Sequence, residues 1–283
     1  STIIYDDVKQ WKAANVERTT NLRGYNSYIA PEPVYEFQID GFEYTFHQNE
    51  FKNKKLTGKQ TNPITKYGLL FVDSFTKFTH VVPVDKNDST YYLIALKKGF
   101  EHTGKPKVIY TDNDGALSSN LIQNYLREHN IKQIITRNHA NIAERQIKTI
   151  KYELDQRMKQ KARPWTEYWT DILHKYNYKR KHRTTKLTPE EARHPNNELT
   201  VKINLELNRI QKRKYPDVHI GDTVKIFRKK DKLDKERVST WDPRLRAVTD
   251  IVESFDQKMY KVEGWPNLLV RSDILLIKPC IDH

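Results

Sequence analysis

From Val34 to Phe42 (VYEFQIDGF) large apolar and polar side chains alternate, the period-two pattern of a half-buried strand. A polar stretch rich in Lys and Asn, from about Thr45 to Thr65, reads as a surface loop. Tyr67–Asp73 (YGLLFVD) and Phe78–Val84 (FTHVVPV) are β-rich runs on either side of Ser74-Phe75-Thr76-Lys77, which predicts a hairpin. The period then lengthens. A helix capped near Ser89 is predicted to run to Gly104, where glycine can take the left-handed terminating conformation. Lys107–Thr111 (KVIYT) predicts a buried strand, Ser118–His129 a helix, Ile131–Thr136 a strand, and Asn141 to about Lys161 a long helix. Three strands, helix, strand, helix, strand, helix make an α/β unit.

The flanks differ. Residues 1–30 read as a short helix near Trp11 followed by a polar arm that Pro31 and Pro33 close. After Pro164 a helix is predicted over Trp165–Arg180, and Asn196–Lys214 reads as a helical linker. From Val218 the chain changes to short runs (Arg246–Phe255, Met259–Glu263, Leu268–Ile277) punctuated by turns, the signature of a small β-barrel. The expected organisation is an N-terminal segment (1–30), an α/β core (31–195), a helical linker (196–215) and a barrel (216–283). A chain of 283 residues has room for two or three domains.

Charge narrows the partners. The 50 Lys+Arg against 36 Asp+Glu give a formal +14 and a pI near 9.5, which concentrates polyanions around the protein. No long apolar run, amphipathic anchor or signal-like start is present, so a soluble, intracellular protein without a membrane partner is expected. The one cysteine, Cys280, permits neither an internal disulfide nor a multi-cysteine zinc site. None of the ten histidines has the spacing of a zinc-binding helix with a second carboxylate ligand.

Three carboxylates carry candidate chemistry. Asp40 lies in the first strand, Asp112 at the carboxyl end of the fourth (Tyr-Thr-Asp-Asn-Asp-Gly), and Glu144 at the start of the long helix. Brought together, they are hard oxygen ligands suited to two Mg²⁺ ions, which suit an in-line displacement at phosphorus. On the long helix Ile147, Ile150, Leu154 and Met158 form a core stripe, and Glu144, Lys148 and Lys151 share an adjacent face. Solvated surface lysines alone would give such a face. From Arg145 to Lys186, however, thirteen Lys/Arg stand against four acids, leaving +9 of the +14. Lys179, Arg180, Lys181 and Arg183, interleaved with Tyr176 and Tyr178, suit a nucleic-acid backbone. The barrel adds Arg228, Lys229 and Lys230, with Trp241, Tyr260 and Trp265.

The segments Phe37-Gln38-Ile39-Asp40, Leu70 to Phe78 (LFVDSFTKF), Thr111-Asp112-Asn113-Asp114-Gly115 and Glu144-Arg145 stand in the order of the integrase core of retroviruses, retrotransposons and related DNA transposons. The approach through Trp11, the spacing of the parts and Ile220-Gly221-Asp222-Thr223-Val224 resemble the integrases of Maverick (Polinton) elements. The resemblance covers most of the chain. It implies an RNase H-like catalytic core, an Asp-Asp-Glu triad at Asp40, Asp112 and Glu144, two Mg²⁺ per site with Mn²⁺ as a substitute, and an SH3-like or chromodomain-like terminal barrel. It also implies a dimer or tetramer on paired DNA ends, with Lys148 and Lys151 beside the element DNA; Arg145 joins them as a candidate DNA contact. In that frame Asp73, the rival for the first position, falls at the end of the second strand; Asp114 reads as a turn former. The interval of thirty-one residues between Asp112 and Glu144 is short, no zinc-binding N-terminal module fits, and Asn138-His139-Ala140-Asn141 lacks the usual proline.

The function this implies is strand transfer of mobile-element 3′ DNA ends into target double-stranded DNA, with or without prior end processing. The protein would sit in the nucleus with chromosomal DNA, its barrel a candidate for contact with DNA, neighbouring subunits or chromatin. Two rivals are a domesticated, non-catalytic DNA-binding or scaffold protein and another RNase H-like nuclease. Loss of a triad member would favour the first; the basic linker and barrel argue against the second.

Overall fold

A computed structural model describes residues 29–44, 67–112, 114–136, 141–158, 168–210, 216–228, 240–254 and 257–278. The expected N-terminal helix and arm, the 45–65 loop, and Lys229 and Lys230 lie outside them. The chain divides into two compact units: one spans Ala30–Lys202 and the other includes Ile203–His283.

The first unit is built on a five-stranded sheet in the order β3-β2-β1-β4-β5. The strands are β1 (Glu36–Glu43), β2 (Tyr67–Asp73), β3 (Thr79–Val84), β4 (Val108–Asp112) and β5 (Lys132–Thr136). β1, β2 and β3 pair antiparallel through hairpin-type neighbours, while β1-β4 and β4-β5 are parallel. Helices α1 (Ser89–Thr103), α2 (Asn120–Glu128) and α3 (Asn141–Met158) follow β3, β4 and β5. Alternate strand residues face two cores. Phe37, Ile39, Leu69, Phe71 and Ile109 pack with Tyr92, Leu96 and Phe100 of α1 and Ile122 and Leu126 of α2. On the other face Phe42, Leu70, Val72 and Val81 pack with Ala143, Ile147, Ile150 and Leu154 of α3.

Double coverage corrects the reading of the first strand. A half-buried strand was expected from Val34, but β1 is buried throughout Glu36–Ile39, because both sheet faces carry helices. Val34 sits at φ 62, outside strand geometry. The cap of α1 is Asp88, whose carboxylate accepts from Thr90 N at 2.8 Å. Gly104 ends that helix at φ 92, in the region where a side chain would be strained.

The helix expected over Trp165–Arg180 is shorter and changes type. α4 covers Trp169–His174, and a π-helix takes over at Lys175–Lys179. The wider turn accompanies a specific contact. Buried Asn177 accepts from Thr79 N at 3.0 Å and donates to Thr79 O at 2.8 Å, closing the exposed edge of β3. Short helix α5 (Pro189–Arg193) starts with a capping box made by Thr188 and Glu191. In place of one linker helix from Asn196, a 3-10 turn at Pro195–Asn197 precedes α6 (Glu198–Ile210).

The second unit holds an antiparallel five-stranded sheet in the order β10-β6-β7-β8-β9. Its strands are β6 (Thr223–Ile226), β7 (Arg246–Ser254), β8 (Gln257–Val262), β9 (Leu269–Val270) and β10 (Ile274–Lys278). The single strand expected over Leu268–Ile277 is two strands split by a 3-10 turn at Arg271–Asp273. Buried Arg271 holds that turn by donating to Ile274 O and Pro216 O at 3.0 and 3.1 Å. Val224, Ile226, Val248, Tyr260, Val262 and Ile274 fill the core, and Trp241 is buried against Phe227.

The Asn177 contact gives a stability prediction. Asn177→Leu leaves a buried N–H and C=O of Thr79 unsatisfied and should cost about 2–4 kcal/mol in urea unfolding. A loss within error of zero would show that the amide does not hold the edge of β3.

Candidate active site

The parallel pairing of β1 and β4 sets two aspartates side by side. The last registered pair is Ile39↔Thr111, and one residue further each strand carries a carboxylate, Asp40 and Asp112. Both share the sheet face covered by α3, as Phe42 on β1 and Tyr110 on β4 also do. The chain leaves this face along β5, which pairs Asp112↔Thr136, and returns as α3, with Glu144 in its first turn.

Asp40 lies close enough to Asp112 and Glu144 to feel their charge. Burial first, then the charges of Asp112, Asp114 and Glu144, push the Asp40 carboxyl from 3.8 up to about 7, against a lowering hydrogen bond from the Gly41 backbone. Glu144 Oε1 also meets Lys148 Nζ at 3.0 Å, an exposed pair one turn apart. Lys151 lies 5.9 Å from the centre of the Phe42 ring.

The sequence reading gave no role to two side chains here, Tyr92 and Gln38. Tyr92 of α1 is buried, and its hydroxyl lies against Gly41: a Cβ there would stand 2.2 Å from the phenol oxygen. Burial and the nearby Asp114, Asp40 and Asp112 push that phenol well above its ordinary value. A glycine inside a strand was the available signal, since it marks close backbone approach. Asp114 is a turn former, its Oδ1 accepting from Ala116 N at 2.8 Å, yet it also adds to the negative field at Asp40. Gln38 contacts the start of α3 (below). Asp73 is occupied elsewhere: buried, it accepts from Val34 N, Phe75 N and Thr76 Oγ1 at 3.2, 2.9 and 2.7 Å and so organises the β2-β3 turn.

A cationic surface adjoins this acidic one. Arg145, Lys148, Lys179, Arg180, Lys181 and Arg183 are exposed. Burial pushes His182 down to about 4, and the neighbouring charges of Lys77, Arg180 and Arg145 act in the same direction. Arg145 of α3 and Arg180 beyond the π-helix therefore contribute to one field. Arg228 of the second unit is exposed as well.

Carboxylate oxygens are the donors a hard divalent cation takes, and the charges crowded on Asp40 are what such an ion would relieve. Among the described residues, however, no three His, Cys, Asp or Glu side chains are gathered into a metal-holding group. The donor type fits Mg²⁺, although Glu144 is here paired with Lys148.

Residues 38–140 match the family described as Integrase core domain, a segment that includes Asp40 and Asp112. No curated protein matches the chain. Among solved structures, the HTLV-2 integrase catalytic core domain in complex with magnesium is 20% identical in its trimeric form, with 58% of this chain and 98% of that one covered and a TM-score of 0.46. The dimeric form gives 21%, 58%, 99% and 0.46. The simian T-cell lymphotropic virus intasome in complex with PP2A regulatory subunit B56 gamma is 15% identical, covering 92% of this chain and 84% of that one at a TM-score of 0.59. The five-stranded mixed sheet of the first unit matches the RNase H-like integrase core.

The raised carboxyl fixes the sign of a pH effect. Asp40 binds its proton more tightly folded than unfolded, so its contribution to stability is full below about 3.8 and is lost as pH rises to about 7. Asp40→Asn should therefore melt higher than the parent protein at pH 8, with the gap closing towards pH 4. A gap independent of pH would refute the raised Asp40 carboxyl.

Proposed function

We propose that the chain is a DNA integrase or transposase that transfers the 3′ ends of a mobile element into target DNA. The observation that carries this reading is the convergence of Asp40 and Asp112 on adjacent parallel strands with Glu144 on α3, within a segment most of which matches an integrase core domain. Asp40, Asp112 and Glu144 would hold two Mg²⁺ ions, or Mn²⁺ in their place. When bound, the ions supply Lewis-acid activation of the attacking oxygen and charge stabilisation for the leaving one.

The remaining work falls to the chain. A terminal 3′ hydroxyl attacks a target phosphodiester, a new O–P bond forms, and the target's own 3′ oxygen leaves with the electron pair and takes up a proton. Arg145, Lys148 and Lys151 would hold element DNA along α3. Lys179, Arg180, Lys181 and Arg183 would continue the track, and Arg228, Lys229 and Lys230 would add contacts from the second unit. Lys148, whose ammonium pairs with Glu144 here, would pass to a DNA phosphate. The likeness to the Maverick (Polinton) integrases, the core at 31–195 between a 1–30 segment and a 196–215 linker, and action as a dimer or tetramer on paired ends in the nucleus belong to the same proposal. So does an SH3-like or chromodomain-like barrel over 216–283 that contacts DNA, neighbouring subunits or chromatin; the strand order β10-β6-β7-β8-β9 with a 3-10 turn before β10 supports it.

One feature favours a second reading, a non-catalytic DNA-binding protein derived from an integrase: Glu144 is paired with Lys148, and the described acids form no ready-made metal group. Strand transfer separates the two. With labelled duplex ends, supercoiled plasmid and Mg²⁺, the parent protein should yield joined products, and Asp112→Asn should lower joining at least about 100-fold while still binding DNA. Joining unchanged in the variant, or none by the parent protein, would overturn the catalytic reading.

A further inference from the structure

We propose that Gln38 is a positioning residue that sets the place of Glu144 by docking the first turn of α3 onto β1, an inference that rests on the integrase reading for its catalytic consequence. A helix begins with four N–H groups that lack intrahelical partners, and a capping side chain just before the helix normally takes one or two of them. In α3 the acceptor comes from a strand more than a hundred residues earlier. Gln38 Oε1 accepts from Ile142 N at 2.9 Å and from Ala143 N at 3.3 Å.

The position in the strand explains why this matters. Gln38 and Asp40 are two residues apart on β1 and so share a face, and Glu144 directly follows Ala143. A rigid path therefore joins the two acids: Asp40, one strand step to Gln38, the two hydrogen bonds, and one helix step to Glu144. Gln38 is buried at 9% exposure, where its two hydrogen bonds are little weakened by water. The residue type also fits. Asn would fall a methylene short, and Glu would add a fourth negative charge beside those already raising the Asp40 carboxyl. The packing of Ile147, Ile150 and Leu154 fixes the distance of α3 from the sheet. Such packing is non-directional along the helix axis; Gln38 supplies the stop at the amino end, and Tyr44 holds the far end through Asp155.

Two variants separate this role from a merely structural one. Gln38→Met keeps length and volume but removes the acceptor; Gln38→Glu keeps the acceptor. Amide hydrogen exchange should show Ile142 and Ala143 exchanging at least about 10-fold faster in the Met variant and near the parent rate in the Glu variant. Strand-transfer kcat should fall about 10-fold to 100-fold in the Met variant with the Kd for duplex ends within about twofold. Unchanged exchange in the Met variant would overturn the docking. Faster exchange with unchanged kcat in the Met variant would overturn the positioning role. If the parent protein joins no DNA, the integrase reading fails on its own, and the exchange rates still decide whether Gln38 docks the helix.

Discussion

The site depends on α3 lying along β1 in one axial position. Two polar contacts mark the ends of that seam. Gln38 accepts from the first turn of the helix, and Tyr44 donates to Asp155 Oδ1 at 2.6 Å, more than three turns later. From Ile142 to Asp155 an α-helix advances roughly 20 Å, and from Gln38 to Tyr44 a strand advances roughly 20 Å. The two elements run in the same direction with matched lengths, so both contacts form without bending either. Apolar side chains between them supply most of the burial, but such contacts are non-directional. The hydrogen bonds specify the register.

Given that register, the electrostatics follow. Parallel pairing of β1 with β4 sets Asp40 next to Asp112, the Asp-Gly turn adds Asp114, and α3 brings Glu144. Negative charge is thereby gathered in a half-buried place where Asp40 holds its proton to about pH 7. Positive charge collects on the neighbouring surface through Arg145, Lys148 and Arg180. An acidic cluster edged by cations is the arrangement a phosphodiester backbone and divalent ions require together: the cations meet the phosphates and the acids meet the ions. Tyr92 limits the space behind Asp40, and the missing side chain at Gly41 lets it do so.

Much of this was legible in the sequence because it is carried by local pattern. The β2-β3 hairpin, the Gly104 stop and the alternation of strand and helix from Lys107 to Asn141 follow from short-range rules, and the structure departs from them by a residue or two. What was not legible depends on tertiary partners. The burial of both faces of β1 needs helices that arrive fifty and a hundred residues later. The π-helix at Lys175–Lys179 accompanies the Asn177 contact with Thr79, ninety-eight residues away. The split of the last strand accompanies the reach of Arg271 to Pro216. At the site, Asp40, Asp112 and Glu144 could be named from their placement at strand and helix ends and from the family's order of motifs. Gln38 and Tyr92 are ordinary residues in a strand and a helix, and only their partners give them a role.

The central claim is that Asp40, Asp112 and Glu144 form one divalent-ion site. It is tested most directly by growing crystals of the protein with Mn²⁺ and collecting data near the manganese absorption edge. The account predicts anomalous density bounded by these three carboxylates, with Glu144 turned away from Lys148. Well-ordered side chains at all three positions with no manganese between them, or manganese bound elsewhere, would contradict it.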